Sequence, residues 1–193
     1  MNVKSLILQW NRNIRESIEV YLFIQQNFPA KINDKFFRFV YKSFYGLNNA
    51  GLREECKNKY FKLLESKENS LQKILITLYE YPTLKGYNSY QLSFATKLLH
   101  TLDNSLPIYD SNIASLFKLP PKKSDLTRCI KTYNLLKEKF GLLLKDSQIQ
   151  EHIHKIKKTY RAEKISDAKI LDFMLWSIGK DEKDRTKKLK LKK

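Results

Sequence analysis

Apolar side chains return every three or four positions along most of this chain. Val3, Leu6, Ile7, Trp10, Ile14, Ile18, Tyr21 and Leu22 share one stripe, which predicts a single amphipathic helix from the start of the chain to Phe28-Pro29. Asn33 or Asp34 is placed to cap a second helix carrying Phe36, Phe37, Phe39, Val40, Phe44 and Tyr45 and stopping at Gly46. A third is predicted over 50–66. A fourth opens after Ser70, turns Leu71, Ile74, Leu75 and Leu78 to one face, and ends at Pro82. Ser89 is expected to cap a helix over 90–102, and Asp110-Ser111 to open a short one through Leu116. Ser124-Asp125 then starts a helix to about Leu144, and two more follow near 147–160 and 166–178. No segment alternates convincingly as a strand, and no internal repeat is visible. The pattern predicts an all-α fold of about eight helices, one compact two-lobed domain over 1–180. The charged stretch 181–193, with Lys187, Lys188, Lys190, Lys192 and Lys193, reads as a disordered basic tail, either a phosphate clamp or a solvated end.

Composition narrows the partners. Hydrophobic residues make up 42% of the chain, enough for a core, and only five glycines and five prolines interrupt it, which favours long helices. The net charge of +17 sets the fold against its own repulsion, so a polyanion, nucleic acid above all, is the natural counterpart. Cys56 and Cys129 have no metal-ligand spacing, and His100, His152 and His154 do not complete one with them. Two structural thiols suit a reducing compartment. Neither a signal peptide nor an apolar run of membrane-spanning length is visible, so a cytoplasmic monomer without metal or cofactor is expected.

The informative segment runs from Leu84 to Phe117, LKGYNSYQLSFATKLLHTLDNSLPIYDSNIASLF. A turn, a capped helix, a loop and Pro107-Ile108-Tyr109-Asp110 at the mouth of another helix follow in order. This arrangement resembles the helix-hairpin-helix DNA glycosylase superfamily, with an 8-oxoguanine glycosylase-like fold. On that resemblance 71–102 is the hairpin unit and 103–117 the catalytic loop and helix. Lys85, Gly86, Tyr87, Asn88 and Ser89 would grip a DNA phosphate through backbone N–H groups at a helix N-terminus. Asp110 would be the catalytic carboxylate, stabilising cationic character on the sugar and orienting or deprotonating water once the target nucleotide is flipped out. A helix cap is the plainer role for Asp110, and the two are compatible.

The match departs from the family at three points. Lys85 replaces the hairpin proline and Asn88 its second glycine, where Asn tolerates the left-handed backbone. Tyr90 and Gln91 stand where bifunctional members carry a Schiff-base lysine, and Lys97 follows about two turns later. The resemblance therefore implies a monofunctional glycosylase acting on a damaged or modified base, of repair or phage type, with Lys97 as the alternative nucleophile. Tyr45 and Trp176, together with Trp10, are candidates to stack on the base, against a core-packing role. Asp172 is a candidate for a base edge, against a capping or surface role. His100 reads as a phosphate contact or a structural histidine. The competing class is a non-catalytic helical DNA or RNA binder that uses the hairpin and the basic surface.

Overall fold

A computed structural model describes residues 2–48, 51–119 and 125–190. All regular structure among them is helical, in ten helices. The stripe expected to form one N-terminal helix forms two, α1 (Val3–Leu8) and α2 (Arg15–Asn27). The break has a local cause: the Asn13 side chain accepts the Arg15 N–H at 3.0 Å, which competes with helix continuation. Trp10 sits in the break and turns inward, its indole N–H donating to Ser177. That places Trp10 in the core.

Capping residues set most later boundaries. Asp34, Ser70, Asp125 and Asp146 each accept a backbone N–H at the starts of α3 (Lys35–Phe44), α5 (Leu71–Tyr79), α8 (Leu126–Leu144) and α9 (Ser147–Tyr160). Between the first two lies α4 (Glu54–Glu65), which starts later than its sequence pattern suggests. The helix expected over 90–102 is α6 (Leu92–Leu102), two residues shorter at its start. α7 (Ser111–Leu116) opens on Asp110, and α10 spans Asp167–Lys190. The predicted disordered tail is therefore helical as far as Lys190; 191–193 lie outside the described residues. High charge masked strong helix formers and a stretch without Gly or Pro beyond Gly179. Ion pairs from Asp181 to Arg12 (2.7 Å) and from Glu182 to Arg185 (3.2 Å) hold it.

The centre of the molecule is α6, nearly all of it buried. A helix buried on every side must satisfy its polar groups internally. Thr101 donates to the Lys97 carbonyl at 2.9 Å, so it accepts from Tyr41 (2.9 Å), whose oxygen in turn accepts from Tyr60 (2.8 Å). His100 Nδ1 lies 2.6 Å from the Leu106 carbonyl and must donate to it, which leaves Nε2 to accept from Tyr21 at 3.0 Å. His100 is thus a structural histidine held neutral. Burial, with Lys169 adding to it, lowers its pKa from 6.5 to about 3. Below pH 6.5 the unfolded chain binds this proton and the folded chain does not, so acid weakens the fold until about pH 3. The expected contribution is a loss of about 1.4 kcal/mol per pH unit in that window. Denaturant melts at successive pH values measure it, and His100→Gln should flatten the slope.

α10 packs against α7, α9, α1 and α8, most extensively against α7. A Cβ on Gly179 would lie 2.3 Å from the Asn112 carbonyl oxygen, a backbone atom with little room to yield. Gly179→Ala therefore trades a helix-propensity gain of about 1 kcal/mol for an overpacked contact costing about 1–3 kcal/mol. Net destabilisation in a chemical melt is the expected result.

Candidate active site

The loop before α7 is held from three sides. The Pro107 carbonyl accepts from Tyr133 on α8 (3.1 Å), and the Tyr109 N–H donates to Thr96 on α6 (3.0 Å). Gly179 of α10 backs the first turn of α7, where Lys183 donates to Ser111 Oγ at 3.0 Å and Asn112 Oδ1 at 2.9 Å. Asp110 is the product of these restraints. It is half-buried, and one carboxylate oxygen accepts the Asn112 N–H at 2.7 Å. Among the described residues its second oxygen has no hydrogen-bond partner.

Asp110 lines a cavity of about 380 Å³ whose walls come from α2, the end of α3, α6, the 107–110 loop and α10. That volume falls within the range of about 300–1,000 Å³ common for ligand sites. Tyr45, Asp172 and Trp176, each a candidate on sequence grounds, line the same cavity. Trp176 is 42% exposed. Tyr45 is mostly core, its ring 4.7 Å from Tyr41 and 5.0 Å from Phe44. Asp172 is neither cap nor surface group: it is buried and paired with Lys169 at 2.7 Å.

Lys169 is the residue sequence reading missed. Its ammonium lies 4.4 Å from the Phe173 ring centroid, 5.1 Å from Tyr21, 5.4 Å from Phe44 and 5.8 Å from Tyr45, a cation held among aromatic faces. Residues 169, 172, 173 and 176 share one face of α10 by helical spacing. The available signal was a lysine with an i+3 aspartate inside an otherwise apolar run, 168–175. Lys97 also reaches the cavity and donates to the Tyr45 carbonyl at 2.8 Å. Burial pushes its ammonium below the ordinary lysine pKa; Asp110 and Asp172 oppose that, and Lys169 adds to it. Two lysines and two aspartates thus line one partly aromatic chamber.

The hairpin differs from its sequence-based picture. Thr83 N–H donates to the Tyr87 carbonyl and Gly86 N–H to the Thr83 carbonyl, both at 2.9 Å, and Gly86 takes φ +83° as its lack of a side chain allows. Asn88 does not use the left-handed region; its side-chain amide donates to the Tyr79 carbonyl at 2.8 Å instead. Ser89 does not cap α6. It is buried and accepts from the Gln91 side chain at 2.7 Å, while Gln91 occupies the cap position without a side-chain bond to the N–H groups of the helix. Tyr90 stacks on Tyr79 at 4.3 Å, which keeps this stretch outside the helix. Lys85, Gly86, Tyr87 and Asn88 are exposed, and none of residues 85–89 lines the cavity.

Among the described residues no group of three or more His, Cys, Asp or Glu is placed to hold a metal ion, and no helix is long and apolar enough to cross a membrane. No protein-family model, curated protein or solved structure matches the chain.

Proposed function

We propose that this chain is a monofunctional DNA N-glycosylase, one that draws a damaged or modified nucleotide out of a duplex and hydrolyses its N-glycosidic bond. The observation that carries the reading is convergence. Asp110, Tyr45, Asp172 and Trp176 come from three distant parts of the chain, and all line one cavity. Phe173 and Trp176 offer faces for a flat heterocycle. Among the described residues one carboxylate oxygen of Asp110 has no hydrogen-bond partner, and on this reading it faces the sugar. As the C1′–N bond breaks, its electron pair leaves with the base, and the carboxylate stabilises the positive charge on C1′. A water oxygen bonds to C1′ while its proton passes to Asp110, and the departing base takes a proton from solvent. The exposed turn Lys85–Asn88 and the +17 charge supply phosphate contacts.

The test incubates duplexes carrying uracil, hypoxanthine or 8-oxoguanine, and phage DNA with modified bases, then treats them with alkali and identifies released bases by mass spectrometry. Native protein should leave alkali-labile sites, and Asp110→Asn should not. Equal cleavage by both removes Asp110 from the chemistry, and no release from any substrate favours the non-catalytic binder.

Lys97 favours a second reading, strand cleavage through an imine, because a desolvated amine lines the same cavity. On the hydrolytic reading, borohydride added during reaction traps no protein–DNA adduct. An adduct that disappears in Lys97→Met would make the enzyme a lyase as well.

A further inference from the structure

The two lysines make the chamber rich in donors. An ammonium offers three N–H groups. Lys97 spends one on the Tyr45 carbonyl and Lys169 one on Asp172, which leaves two on each. Acceptors are scarcer: one oxygen of Asp110 serves Asn112 and the other faces the sugar in the proposed reaction, so Asp172 supplies the charged acceptor for a base, beside the Ser17 hydroxyl on the same wall. A buried ion pair gains little stability over apolar residues of similar volume, so its position on a cavity wall calls for a role in binding. Phe173, Phe44, Tyr45 and Tyr21 crowd the Lys169 ammonium and limit how far it can move.

We infer that this chamber selects bases that present ring carbonyl oxygens over bases with amino groups at the same positions, and that Lys169 makes the choice. The inference rests on the reading that a flipped base enters this cavity. A lactam edge gives its oxygen to Lys169 and its N–H to Asp172. An amino-substituted edge can give its ring nitrogen to Lys169 and one N–H to Asp172, but it replaces a carbonyl oxygen with a further donor in a chamber whose two ammonium groups already supply donors in excess. Buried donors left without partners weaken binding substantially. Uracil- and hypoxanthine-like bases, and oxidised bases carrying added carbonyls, therefore form the favoured class.

The test separates recognition from cleavage. Four duplexes carry uracil, cytosine, hypoxanthine or adenine on a 2′-fluoroarabino sugar that resists excision. Each base lies opposite a tetrahydrofuran spacer, so base pairing does not bias extrusion. Affinities are read by fluorescence anisotropy. The native protein should bind uracil over cytosine, and hypoxanthine over adenine, by about tenfold or more. The double variant Lys169→Met/Asp172→Leu should bind all four alike, with its fold checked by circular dichroism. Equal affinities in the native protein, a preference for the amino bases, or a preference that survives in the folded double variant overturns the inference. If the double variant fails to fold, the native contrast alone decides. A carbonyl preference without base release in the excision assay would sink the hydrolytic reading and leave this one standing. Base release without the preference would do the reverse.

Discussion

Asp110→Asn should lower base release by about 10²–10⁴-fold while leaving the melting temperature nearly unchanged. The two halves of that expectation come from the two jobs of one side chain. As the cap of α7, Asp110 needs only an oxygen to accept the Asn112 N–H, and asparagine keeps one in place. As the proposed catalytic group, it needs a negative charge beside C1′ and a site for the water's proton, and asparagine offers neither. Asp110→Ala makes the contrast sharper, because it removes charge and cap together and should cost about 1 kcal/mol of stability besides. Alkali-dependent nicking under single-turnover conditions measures the first effect, and a urea melt the second. If Asp110→Asn keeps the native stability, Asp110→Ala loses about 1 kcal/mol, and both release base as the native chain does, Asp110 is a cap alone.

Much of the scaffold was legible because it rests on local rules. Asp34, Ser70, Asp125 and Asp146 cap helices where a short acceptor precedes an apolar-periodic run. Asp110 carried both its cap signal and its proline-preceded loop in the sequence. What failed depended on competition or on distance. The break at 9–14 yields to the Asn13 side chain, which a hydrophobic stripe does not register. The helical continuation of α10 draws on Arg12, Ser111 and Asn112, all distant in sequence. Ser89 looked like a cap, but Tyr90 stacks on Tyr79 and delays the helix. Lys169 is the most instructive miss. A lone lysine in an apolar run reads as a solvated exception, and only packing α2, α3 and α10 together surrounds it with rings.

That packing leads to the second large effect. Lys169→Ala should destabilise the fold by about 3–5 kcal/mol, because it leaves the Asp172 carboxyl buried without its cation. The loss compounds: the aromatic faces of Tyr21, Phe44 and Phe173 also lose the ammonium they surround. Asp172→Ala should cost a similar amount from the other side. Yet Lys169→Met/Asp172→Leu should come within about 1–2 kcal/mol of the native chain, or exceed it, since apolar residues of similar volume fill the site without a desolvation penalty. The double-mutant cycle in urea separates the two contributions, and a strong positive coupling between the positions is the signature of the pair. If the double variant is as unstable as the singles added together, Lys169 and Asp172 act independently, each satisfied by other groups. If instead it folds as well as the native chain, stability does not account for an ion pair at this wall, and the remaining reason for it is what enters the cavity.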